Sequence, residues 1–183
     1  MSFFSVKKTT ASAFRSTARP LWIVWTILLA LAACAASKMD YATIDQGITS
    51  GKRASSPSVE VIGDRAAFER LVTEIHSDRL PPAPLPDIDF QQWWAVFISL
   101  GEKPSAGYRL KIAEVTRAKE TVRVKIETAA PSPGDLQAAV MTAPFALIKI
   151  KKEPAVKKVA LIDADNNVIG EYAVPVETPG PND

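Results

Sequence analysis

One cysteine and one histidine in 183 residues leave little room for thiol, imidazole or zinc chemistry. A lone cysteine closes no intramolecular disulfide, and a single histidine cannot complete the Cys/His sets that bind structural or catalytic zinc. A phosphate cradle is also missing, because the glycines of segment 101–107 precede no predicted helix whose N-terminus could add its dipole to their amides. The apolar run Leu21–Ala33 covers 13 residues. That falls short of the roughly 20 a helix needs to cross hydrocarbon.

The amino terminus has a different use for those 13 residues. Lys7, Lys8, Arg15 and Arg19, with no acid among them, lead into the apolar run, which is the order of a secretory signal peptide over residues 1–33. The run ends in Leu31-Ala32-Ala33-Cys34, which resembles the bacterial lipobox. Lipidation of Cys34 is therefore expected, with Cys34 the first residue of the mature chain. Acylation removes the liability of a spare thiol in an oxidising compartment, and two or three acyl chains hold a protein on a membrane where one does not. An ordinary cleaved signal or an uncleaved anchor are the alternatives. Ala35, not Asp, follows the cysteine, so in a Gram-negative cell the outer membrane is the expected address. Removal of residues 1–33 leaves 18 basic against 20 acidic residues, and with them no basic footprint of a nucleic-acid binder.

The mature chain divides by composition. Residues 34–57 are small and polar and read as a flexible tether, 58–173 as one folded domain, and 174–183, with three prolines, as an extended tail. Within the domain, Phe68, Leu71, Val72 and Ile75 recur at the spacing of one helical face after the N-cap candidate Asp64. That helix must end before the proline-rich segment 80–86. The run Trp93–Leu100, with its large even positions Trp94, Val96, Ile98 and Leu100, reads as an interior strand with one face on the helix. The alternations of 108–112 and 122–126 form a hairpin turning near residues 117–120, and a short helix over 135–141 precedes a strand at 145–150. Two last strands flank Asp163–Asn167, a turn composition. The expected fold class is α+β, an antiparallel sheet of about six or seven strands with one main helix on one face.

Few residues offer catalysis. His76 stands beside Ser77 and Asp78, but neighbours in sequence rarely reach triad geometry, and a histidine at the negative end of a helix dipole needs no catalytic role. Asp87 and Asp89 are explained by the solvent side of a strand start. The segment 163–167 lacks the glycine and closing glutamate of a calcium loop. No enzyme activity, cofactor or metal is expected. The loop from Gly101 is the candidate partner-binding surface, through Lys103, Pro104, Ser105, Gly107 and Tyr108, since loops on a rigid sheet carry binding residues. Its alternative is a tight turn with Tyr108 packed inward.

The order of these features resembles the PrcB family: the helix beginning Asp64-Arg65-Ala66-Ala67-Phe68, the segment Pro86-Asp87-Ile88-Asp89-Phe90, an apolar strand, and a loop from Gly101 to Gly107-Tyr108. Pro131-Ser132-Pro133-Gly134 and Thr142-Ala143-Pro144-Phe145 follow in turn. The likeness covers about residues 58–151. It implies a non-catalytic accessory lipoprotein of the cell envelope that binds or stabilises a partner protein, with a protease as the partner the family's name suggests. An envelope inhibitor or a structural, wall-binding lipoprotein is the alternative. Intact mass and membrane partitioning after expression in a lipoprotein-competent bacterium test the amino-terminal reading. The wild type should begin at an acylated Cys34 and sediment with membranes, and Cys34→Ser should lose the lipid; retention of residues 1–33 in both would make the segment an anchor instead.

Overall fold

A computed structural model of the chain describes residues 36–78 and 84–175. The signal segment, Cys34, residues 79–83 of the proline-rich connector and 176–183 of the tail lie outside the described residues. In chain order the elements are β1 (Ser37–Lys38), β2 (Tyr41–Gly47), β3 (Ser58–Ile62), α1 (Arg65–Ile75), β4 (Trp93–Ser99), β5 (Arg109–Ala118), β6 (Thr121–Ala129), β7 (Phe145–Lys151), β8 (Lys158–Ile162) and β9 (Val168–Ala173).

Strand β4 sets the architecture. Every residue from Trp94 to Ser99 is buried, and because side chains alternate between two faces, such a strand needs cover on both. One face carries Trp94, Val96 and Ile98, joined by Ile148 and Ile150 of β7 and Val59 and Val61 of β3. These pack against Leu110, Ile112, Val122, Val124, Val159 and Leu161 of a second sheet. The other face carries Ala95, Phe97, Phe145 and Leu147, and meets Phe68, Leu71, Val72 and Ile75 of α1. The described residues thus form three layers: an outer sheet, an inner sheet whose central strands are buried on both faces, and one helix.

The inner sheet has the order β2-β7-β4-β3, all antiparallel, and the outer sheet the order β1-β5-β6-β8-β9. The expected α+β fold, one sheet of six or seven strands under a helix, is therefore corrected to a mostly β fold of nine strands in two sheets among the described residues. The helix covers the back of one sheet and is not the partner that forms the main core. The even positions of β4, expected to face the helix, face the second sheet. The β5–β6 hairpin is present, turning at Lys119 with its backbone left-handed (φ 56°), but β6 pairs with β8 in parallel, because the chain crosses to the inner sheet as β7 between them. No helix forms over 135–141.

Order also begins earlier than composition implies. Residues 37–47, inside the expected tether, form β1 and β2, and β2 pairs with β7 from Tyr41↔Ile150 to Gly47↔Phe145. A register shift between Thr43 and Asp45 breaks the period-two pattern, and β2 is an edge strand with no fully buried residue, so its sequence carries no clear strand signature. At the far end Val174 is buried and donates its N–H to the Lys157 carbonyl (2.9 Å), so the domain runs one residue past its expected limit.

The helix forms where its sequence places it. Asp64, with extended backbone (φ −134°, ψ 159°), accepts from the Ala67 amide through its side chain at 2.8 Å. That satisfies one of the free donors of the first turn.

Strand register gathers the chain's turns at two poles. At one pole Tyr41, Trp93 and Lys151 align in the inner sheet, and Lys38, Arg117, Thr121, Lys158 and Ala173 in the outer one. Here the chain enters the domain at residue 36 and reaches Pro175. The connections β4–β5 and β6–β7 lie at the opposite pole. If the doubly covered sheet is the source of stability, Phe97→Ala should lose about 3–5 kcal/mol in urea unfolding. Leu136→Ala on the opposite-pole loop should stay within about 0.5 kcal/mol.

Candidate functional site

The two connections at the pole away from the chain ends are tied to each other. Lys103 and Thr142 exchange backbone hydrogen bonds (N–H to O at 2.8 and 2.9 Å), an isolated antiparallel bridge between loop 100–108 and loop 130–144. The buried Thr142 hydroxyl donates to the Ser105 carbonyl at 2.8 Å, the Leu100 amide to the Pro144 carbonyl at 2.9 Å, and the Ala106 amide to the Ala138 carbonyl at 3.2 Å. Ser99, fully buried, accepts the Gly101 amide at 3.0 Å. Gly101 itself has φ +73°, and a Cβ there would stand 2.9 Å from the carbonyl carbon of Ser56, so only glycine fits without strain. Gly107 allows the second loop to close in, since its Cβ would sit 2.7 Å from the Pro131 ring.

Every sequence-predicted binding residue is on this double loop. Lys103 is pinned through its backbone, and its ammonium lies 5.8 Å from the centroid of the Tyr108 ring. Tyr108 is half-buried, neither a core residue nor a free one. Pro104 is exposed at the tip, while Ser105 and Gly107 make the contacts to Thr142 and Pro131 just described.

What the sequence reading missed is the second loop. Residues 132–141 are all exposed, among them Leu136 completely, with Val140 and Met141 about half. Leu136 and Val140 at i, i+4 read as a helical face. Instead a turn closed by Asp135, whose carboxylate accepts from the Ser132 amide at 2.8 Å and whose amide donates to the Ser132 carbonyl at 3.1 Å, leads into irregular chain in which the Val140 amide donates to the Ala138 carbonyl at 2.9 Å. Three large apolar side chains on a loop held at Pro131 and Thr142 are costly in water, and grouped exposed apolar surface marks interaction sites.

The residues weighed for chemistry are elsewhere and apart. His76 caps the C-terminus of α1, and its Nε2 lies 2.9 Å from Asp45 Oδ2 on β2, with the imidazole and Phe145 rings steeply inclined at 74°. The partner is Asp45, from the segment taken as a tether, and not Ser77 or Asp78. The cleft beside them, about 240 Å³, is lined by Ile44, Asp45, Val72, His76, Pro84, Pro86 and Leu147. None of these carries a hydroxyl or thiol for the histidine to activate. Asp87 is exposed and pairs with Arg65 at 3.1 Å, while Asp89 caps a turn by accepting the Gln91 amide at 2.9 Å. Asn167 donates its side-chain amide (3.0 Å) and its backbone N–H (2.8 Å) to Asp163, which holds that carboxyl below the usual carboxylate range. Asn166 is left-handed (φ 68°), so 163–167 is a turn. No group of three His, Cys, Asp or Glu suited to a metal occurs among the described residues.

Residues 94–151 match the family described as PrcB C-terminal. Over that segment the chain is similar to the PrcB C-terminal domain. The match is narrower than the likeness expected over 58–151 and leaves out β3 and α1. The PrcB C-terminal segment spans β4 to β7, which are neighbouring strands of both sheets, together with both of the tied loops. No curated protein and no solved structure gave a significant match. Within this domain Thr142→Val should cost about 1 kcal/mol in urea unfolding, from loss of the hydroxyl bond to Ser105. Amide exchange should speed up at 103–106 and leave β4 unchanged; equal exchange in both loops would show that the hydroxyl does not hold them together.

Proposed function

We propose that this protein is a non-catalytic lipoprotein of the bacterial cell envelope that holds a partner protein against the tied loops of its PrcB C-terminal-like domain. The observation that carries the reading is the exposure of Leu136, Val140 and Met141 on a segment fastened at both ends to a rigid double sheet. Fastening lowers the ordering entropy lost when such a loop is covered, and large apolar side chains supply the anchors around which protein interfaces form. A protease is the partner that the family name favours. A lipid on Cys34 would hold the encounter at the membrane surface, outside the cytoplasm.

Crosslinking in the native envelope followed by co-purification tests this. Wild type should recover a defined protein, and the pair Leu136→Asp with Met141→Asp should reduce recovery by about 30-fold or more, the loss of a hot spot, at an unchanged melting temperature. Repeated recovery of no partner, or undiminished recovery by the variant, would overturn the reading.

A further inference from the structure

Two sulfur atoms lie among the described residues, in Met39 and Met141, and their surroundings are opposite. Met39 is 5% exposed, packed into the core between the two sheets, and its amide donates to the Val115 carbonyl at 3.0 Å. An oxidant reaches that thioether only when the core opens. Met141 is 52% exposed. Its neighbour Thr142 is buried and bound through its backbone to Lys103 and through its hydroxyl to the Ser105 carbonyl. Met141 is therefore held at the surface by bonds that its own side chain does not make, and a change at its sulfur breaks none of them.

A hydroperoxide gives one oxygen to a methionine sulfur: its O–O bond breaks, an S=O bond forms, the sulfur loses two electrons, and the hydroperoxide leaves as water or an alcohol. The reverse step takes two electrons from a dithiol, which becomes a disulfide, and releases the oxygen as water. Oxidation turns a flexible apolar side chain into a polar one that carries a hydrogen-bond acceptor. Exposed to water, that acceptor is satisfied and the fold loses little. Under a partner that also covers Leu136 and Val140, the sulfoxide oxygen must give up its water, and the interface weakens.

We propose that Met141 is an oxidation site whose sulfoxide releases the partner from the tied loops and whose reduction restores the contact. This rests on the proposed contact through Leu136, Val140 and Met141 and adds a control to it. A signal peptide over 1–33 would send the domain out of the cytoplasm, away from the thiol systems that keep cytosolic proteins reduced. Cys34, once acylated, would offer no thiol to react in place of Met141.

The test uses the full chain in the native envelope, dilute hydrogen peroxide as the oxidant, and partner recovery by crosslinking as the readout. Peptide masses should show sulfoxide forming at Met141 roughly tenfold or more faster than at Met39, at an unchanged melting temperature. Recovery of the partner should fall about tenfold on oxidation, the effect of one polar group buried without a partner. Methionine sulfoxide reductases A and B, one for each sulfoxide epimer, should restore it. M39L should respond to peroxide as the wild type does, and M141L should give the same recovery before and after treatment, whatever its starting value. Equal oxidation of Met39 and Met141 overturns the site. Oxidation of Met141 with unchanged recovery overturns the control and leaves the contact standing. If untreated envelopes yield no partner, the contact and its control fall together, while the peptide masses still decide the site.

Discussion

The structure depends on one requirement, that the central strands of the inner sheet be dry on both faces. Strands β4 and β7 have apolar side chains above and below the sheet, from Val96 and Ile148 on one side to Phe97 and Leu147 on the other. Neither face can meet water without a large loss of hydrophobic stabilisation, at roughly 25 cal/mol for each Å² of apolar surface. The outer sheet covers one face and α1 the other. The outer sheet in turn needs only one apolar face, which is why β6 alternates through Val122, Val124 and Ile126, and β5 through Leu110 and Ile112 up to its register shift.

How much of this is legible in the sequence follows from the same requirement. Helix α1 shows itself because it has a single buried stripe and a capping aspartate, and the β5–β6 hairpin because it has one wet face. The burial of β4 on both sides is also visible as an unbroken apolar run, but a run does not say which layer lies over which face. Assigning Trp94, Val96 and Ile98 to the helix was the natural reading with only one sheet in view, and it hid the second. Strand β2 was hidden for a different reason. It is an edge strand, half wet, with an irregular register, so its order comes from the backbone of β7 and not from its own pattern.

The candidate site was half legible. The glycines at 101 and 107 mark the first loop because backbone crowding and left-handed geometry leave a composition signal. The second loop gives none, since Leu136, Val140 and Met141 look like a buried helical face. What places them in water is the bridge between Lys103 and Thr142, a contact between residues 39 positions apart that no local pattern encodes. The PrcB C-terminal match encloses both loops and the four strands that carry them. The pairing of His76 with Asp45 was equally out of reach, because its second member lay in a segment read as unstructured.

The two poles also have a mechanical meaning. Strand β2 begins at the pole where the chain enters and lies antiparallel to β7. A pull between that entry and the opposite loops runs along the strands, at right angles to their hydrogen bonds. The β2–β7 bonds would share such a load collectively instead of breaking singly. A domain held at one end and gripped at the other would then resist tension in shear, its stronger direction.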